Sequence, residues 1–177
     1  MPTGHVMMAM TLDGFVARKD HTIDWLMKQE TQGEDYGFEE FMSGIDVIVM
    51  GSGSFRTVLG FNEWAYNKPV IVLSRSLNDS DVPEHLKDKV KLSRLDPDTL
   101  MSELSRQGIN RVYVDGAAVV QTFLRAGYIE DMKVTLIPIL IGSGIRLFGD
   151  LDKDMDLRLD GVREFKSGLV DLRYRVI

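Results

Sequence analysis

The chain has 177 residues, 44% apolar and 27% charged, with a net charge of −6 and no cysteine. This length and balance suit one globular domain spanning 1–177, and the acidic charge excludes the basic footprint of a nucleic-acid binder. Disulfides, thiolate catalysis and cysteine-based metal sites are excluded together, and with neither a signal-peptide start nor an apolar run of membrane length the expected location is cytoplasmic, without a membrane partner.

In chain order, a first strand is predicted over His5–Leu12, a turn at Asp13-Gly14, and a brief extended stretch at "FVA". Glu34–Gly44 reads as a helix, because Phe38, Phe41 and Met42 share a face at helical spacing. "DVIVM" is a strand, Ser54–Leu59 a short helix, and "PVIVL" and "KVKLS" two further strands. Asn62–Lys68 and Asn78–His85 read as surface loops. Asp96 to Gln107 is a helix with Asp96 as N-cap, Pro97 at its first position and Gly108 just past its end. "RVYVD" is a strand and Ala117–Ala126 a helix closed by Gly127.

The pattern then changes. "DMKVTLIPIL" is a long strand, Gly142-Ser143-Gly144 a turn, and apolar and charged residues alternate over Met155–Leu159 and again over Val170–Val176, the two joined through "KSGL". Period-two alternation marks strands with one wet face, which favours antiparallel pairing. Helices and strands alternating, followed by consecutive strands, predict an α/β fold: a mixed, mainly parallel sheet flanked by helices, with an antiparallel C-terminal hairpin.

One junction raises a specific question. In "DVIVMGSGSFRTVLG" a buried strand runs through Gly51-Ser52-Gly53-Ser54 into a helix. The dinucleotide fingerprint fails, because its third glycine falls on Arg56 and no acidic residue closes the next strand. The P-loop pattern fails as well, for lack of Gly-Lys-Ser/Thr. Free N–H groups at a helix start still favour an anion; the alternative is a tight turn that needs glycine. His5, His21 and His85 are scattered, without metal-ligand spacing, so no metal is assigned.

"MTLDGFVA", "VIVMGSGSF", "VIVLSRSL", "RVYVDGAAVVQTFLRAGYIEDMKVTLIPILIGSGIRLF" and a closing hairpin occur in one order. This order resembles the C-terminal reductase domain of the bifunctional riboflavin-biosynthesis deaminase-reductase, which shares the dihydrofolate reductase fold. The deaminase half, with its zinc-binding cysteines, has no counterpart in a chain without cysteine. Three positions depart from the family pattern: Ser52 and Ser54 stand where members commonly carry Arg and Thr, and Ala117 where they carry the second Gly of a pair.

The resemblance implies NADPH as cofactor. Ala9 and Gly51, Ser52, Gly53 and Ser54 would border it, and Ser74 and Arg75 would take its 2′-phosphate. Asp115, Gly116, Ala117 and Ala118 would form the turn that receives the pyrophosphate, with the Asp115 carboxylate capping the helix. Asp13 and Gly14 would border nicotinamide and substrate, Asp13 binding a substrate hydroxyl or relaying a proton; its other reading is an Asx-type turn. Asp24 and Trp25 fall near the substrate mouth, Trp25 chiefly as a packing residue. The inherited reaction is that of 5-amino-6-(5-phosphoribosylamino)uracil reductase, with Arg18 and Lys19 the nearby cations for a sugar phosphate. The alternatives are a pteridine or dihydrofolate-type reductase and a nucleotide-binding module without catalysis. A homodimer through the C-terminal strands is also implied.

Overall fold

The computed structural model describes residues 1–31 and 33–177. Among the described residues ten strands are formed: β1 (Thr3–Thr11), β2 (Phe15–Ala17), β3 (Val47–Gly51), β4 (Val70–Leu73), β5 (Val90–Ser93), β6 (Arg111–Asp115), β7 (Ile129–Ile137), β8 (Ile145–Arg146), β9 (Leu157–Glu164) and β10 (Val170–Val176). The helices are α1 (Asp24–Met27), α2 (Phe38–Ser43), α3 (Ser52–Leu59), α4 (Pro97–Arg106) and α5 (Ala117–Arg125). Eight strands make one sheet in the order β5-β4-β3-β6-β1-β7-β10-β9, and β2 pairs with β8 in a small second sheet. From β5 to β7 all neighbours are parallel; β10 is antiparallel to both β7 and β9. The expected mixed sheet with an antiparallel C-terminal hairpin is the observed one.

The cause is visible in the strands themselves. Val47–Met50 is buried on both faces, as a parallel strand covered by two helix layers requires. Val49, Val112 and Val114 pack with Leu100, Met101 and Leu104 of α4 and Val120 and Phe123 of α5. On the opposite face Ile48, Met50, Val70 and Val72 pack with Phe55 of α3 and with Tyr113. A third cluster joins Trp25, Ile137, Phe165 and Leu169. Asp96 caps α4 as expected, accepting from the Thr99 N–H at 2.9 Å, and Pro97 opens the helix.

Several boundaries differ from expectation. The helix expected over Glu34–Gly44 is confined to Phe38–Ser43, because Gly37 holds a left-handed backbone (φ 73°) that stops the turn from propagating backwards. Glu34 instead accepts from the Ser167 N–H at 3.1 Å and from the Tyr36 hydroxyl at 2.8 Å, tying this segment to the C-terminal hairpin. α3 begins at Ser52, two residues before the expected start. β7 starts at Ile129 and stops at Ile137, since Pro138 has no N–H to continue the ladder. The first strand of the final hairpin is Leu157–Glu164, beyond the expected Met155–Leu159. Short 3₁₀ turns at Asp79–Asp81 and Glu84–Leu86 occupy the expected Asn78–His85 loop. α1 and β8 are too short for periodicity to reveal.

β1 is central, flanked by β6 and β7, yet Met7 and Ala9 are only half-buried. The sheet is therefore open above β1, towards the carboxyl ends of the parallel strands, where α/β proteins place their ligands.

Candidate functional site

Two strand ends lie side by side: Met50 of β3 is in register with Asp115 of β6. Each strand passes through one glycine into a helix, β3 through Gly51 into α3 and β6 through Gly116 into α5. Neither helix start carries a side-chain cap, so their first N–H groups are available to an anion. Gly116 has φ 90°, and a Cβ there would stand 2.6 Å from Ser54 Oγ. A Cβ on Gly51 would meet the Val119 side chain at 3.2 Å. The fold thus brings Gly51–Ser54 and Asp115–Ala118, 64 positions apart in the chain by their first members, into one cradle whose floor tolerates only glycine at 116.

The neighbouring strand adds the next pair. Leu73 of β4 is in register with Gly51, so Ser74 and Arg75 emerge on the same rim. Ser74 Oγ accepts from the N–H groups of Ser76 (3.2 Å) and Leu77 (3.1 Å), which shapes the turn and leaves its hydroxyl hydrogen to donate. Arg75 is exposed and, among the described residues, its guanidinium has no hydrogen-bond partner.

Asp115 corrects an expectation. It does not cap α5, whose N-cap is Gly116. The side chain is half-buried, and the dense surroundings of its carboxyl push the pKa up to about 6; burial outweighs the neighbouring Gly116 amide and the Tyr113 and Ser54 hydroxyls, which act the other way. Burial, aided by the Asp115 charge, also raises the Tyr66 hydroxyl. The Tyr113 hydroxyl donates to the Met7 carbonyl at 3.0 Å, fixing β6 to the floor of the cleft.

At the end of β1, Asp13 is a latch. Thr11 Oγ1 donates to its Oδ1 at 2.6 Å, while the N–H groups of Ile141 and Gly142 donate to its Oδ2 at 3.1 and 2.8 Å. Thr11, and then the Gly142 and Ile141 amides, hold this carboxyl below the ordinary aspartate range. The turn at Gly14 (φ 93°) follows, and Arg146 of β8 lies over the Phe15 ring at 4.7 Å. Asp24 is exposed and takes both ends of Arg18, at 2.6 and 3.0 Å, so Arg18 is committed to that pair. Trp25 beside it is fully buried. Ala9 packs on the Trp25 cluster, which places Ala9, Trp25 and the Asp13 latch on one side of the cleft. Arg146 was not indicated by the sequence: it reaches the Asp13-Gly14 turn only because β8 pairs with β2. Among the described residues no cluster of acidic or histidine side chains is arranged to hold a metal, and no helix is long and apolar enough to cross a membrane.

Comparison with known proteins adds the following. The family model described as the RibD C-terminal domain matches residues 2–170. The chain is 30% identical over 168 residues to the uncharacterised protein YwjB of Bacillus subtilis, covering 94% of each. Among solved structures it matches a protein of Shewanella sp. PV-4, assigned to riboflavin biosynthesis in name only, with a TM-score of 0.91, 33% identity and 99% of each chain covered. It also superposes on RibD of Acinetobacter baumannii with a TM-score of 0.72 and 18% identity, covering all of this chain and 58% of that one; this last likeness concerns the fold.

Proposed function

Because the chain belongs to the RibD C-terminal domain family, we propose that it is an NADPH-dependent reductase of a small heterocyclic or sugar-phosphate substrate. The reduction of 5-amino-6-(5-phosphoribosylamino)uracil is the leading candidate reaction. The observation that carries this reading is the cradle formed by two uncapped helix starts at adjacent parallel strand ends, with Ser54 Oγ against a glycine that admits no Cβ. Such a cradle fits phosphate groups, and the exposed Arg75 on the same rim fits a 2′-phosphate with its planar fork of donors.

When bound, NADPH supplies a hydride, the electron pair that the substrate carbon accepts. The chain's own part would be positioning. The amides of the α3 and α5 starts would hold phosphate oxygens. Half-buried Ala9 offers a small side chain on the floor, where a flat ring can approach β1. Asp13 stays ionised and braces the Thr11–Gly14 turn against the Ile141–Gly142 strand exit. The Asp115 carboxyl, pushed up to about 6 by burial, borders the α5 end of the cradle, where in mild acid it takes up a proton and presents no charge to a phosphate. In the same reading the protein is a cytoplasmic homodimer. Its support is the edge strand β9, where Leu157, Leu159 and Val162 are exposed by 41, 52 and 60%.

The test is ligand-induced stabilisation. NADPH at about 100 times its Kd adds ~2.7 kcal/mol, which for this chain length raises Tm by about 5–10 °C. NADPH consumption with the aminouracil substrate follows. No shift with millimolar NADPH or NADP⁺ overturns the cofactor reading.

A further inference from the structure

The segment between α3 and β4, which reads from sequence as a surface loop, carries two half-buried aromatic residues, Trp64 and Tyr66. An edge-to-face ladder holds them. Phe55, buried in α3, meets Trp64 with ring centroids 6.3 Å apart and planes at 76°, and Trp64 meets Tyr66 at 5.5 Å and 82°. Aromatic pairs of this geometry contribute beyond the area they bury, so they fix the direction of each ring. Tyr66 packs on the cluster of Met50, Val72 and Tyr113, with half-buried Met7 and Phe41 at its margin. Tyr66 is thereby seated on the face of the sheet where β1 is open.

Two phenols then stand near the end of β6, and they are used differently. Tyr113 gives its one hydroxyl proton to the Met7 carbonyl at 3.0 Å. The Tyr66 hydroxyl has no hydrogen-bond partner among the described residues. The sealed and unpaired side-chain atoms among those residues are Trp25 Nε1, Trp64 Nε1 and Asp171 Oδ2. The Tyr66 hydroxyl is not one of them, so it opens to solvent. Burial, and after it the Asp115 charge, raises this phenol, and the same charge acts on Tyr113. Tyr66 therefore turns its hydroxyl towards the end of β6, where it keeps its proton and can donate it in a hydrogen bond.

We propose that Tyr66 is a specificity-determining residue of the cleft: its hydroxyl donates to a carbonyl oxygen of the substrate heterocycle, held beside Asp115. The inference rests on the reductase reading above. Tyr66 presents a donor and the Asp115 carboxylate presents acceptors on one wall. Their complement is a ring edge on which C=O adjoins N–H, as it does on a uracil. A ring with that edge satisfies both groups, and one without it leaves a polar group of the wall unpaired.

The experiment compares wild type and Y66F at one pH. Because the hydroxyl has no partner within the chain, Y66F should melt within about 1 °C of wild type, and the ring keeps its place in the ladder. The first readout is steady-state reduction of 5-amino-6-(5-phosphoribosylamino)uracil with NADPH, alongside calorimetric titration with NADP⁺. The expected result is a KM for the aminouracil raised about three- to tenfold in Y66F, the size of one neutral hydrogen bond, with NADP⁺ affinity unchanged. An unchanged KM, or an equal loss of NADP⁺ affinity, overturns the proposal. If wild type does not reduce the aminouracil, that reading of the reaction falls, and titration with 5,6-diaminouracil decides for Tyr66 alone. Binding to wild type that weakens by the same factor in Y66F supports the proposal; equal binding to both proteins, or none to wild type, overturns it.

Discussion

Replacing Asp115 by Asn should stabilise the protein, and the stabilisation should depend on pH in one direction only. The Asp115 carboxyl rises from 3.8 to about 6 on folding, with burial as the largest cause. The folded state therefore binds more protons than the unfolded state between these values, so stability falls as pH rises through that window and is level above it. A shift of about two units corresponds to a ceiling of ~3 kcal/mol. The side chain is half-buried, not sealed, so water screens part of this, and ~1–2 kcal/mol is the expected gain for Asp115→Asn at pH 8. For a chain of this length that is a rise in Tm of about 2–8 °C. Below about pH 4 both proteins carry a neutral group at 115 and the difference should vanish. Calorimetric melts of the two proteins from pH 4 to 8 measure it. A destabilised Asp115→Asn variant, or one whose difference from wild type does not change with pH, would show that hydrogen bonding to the carboxyl outweighs its burial, and would refute the upward shift.

Three further outcomes are expected. Arg75→Ala should weaken NADPH by ~1.5 kcal/mol, about tenfold, and leave NADH unchanged, because only NADPH carries the 2′-phosphate; equal loss of both cofactors in a binding titration would make Arg75 a structural residue. Trp25→Ala should cost ~3–5 kcal/mol, since the ring is fully buried against Ile137, Phe165 and Leu169; a urea midpoint near that of wild type would contradict this packing role. Leu159→Lys, on the exposed edge strand β9, should leave Tm within about 1 °C and yield a monomer; sedimentation of the wild type as a 20.0 kDa monomer would remove the dimer from the proposal.

What the sequence made legible follows a physical division. Strands such as Val47–Met50 and Val70–Leu73 announce themselves because a buried parallel strand needs an uninterrupted apolar run, and α4 does so because Asp96, Pro97 and Gly108 mark both its ends. Features set by a single backbone angle or by a distant partner do not. The truncation of α2 depends on the left-handed turn at Gly37. The Asp13 latch depends on amides 128 and 129 residues away. The imidazole of His21 lies against Gly53 of α3, where a Cβ would stand 2.8 Å from its Nδ1; this has no local signature, because it is set by where a loop meets a helix.

The same division separates the two aspartates. By position alone, Asp13 at the end of the first strand reads as a substrate contact or relay or as an Asx-type turn, and Asp115 at a helix start as a cap. The structure makes Asp13 a brace and leaves Asp115 off the helix cap. Three donors converge on Asp13 and stabilise its charge, so it holds no proton to give at neutral pH. At Asp115 burial outweighs the neighbouring Gly116 amide and the Tyr113 and Ser54 hydroxyls. Two carboxyls of one type are thus driven apart, one held ionised where it braces the turn after β1, the other pushed up by burial at the end of β6 beside the cradle.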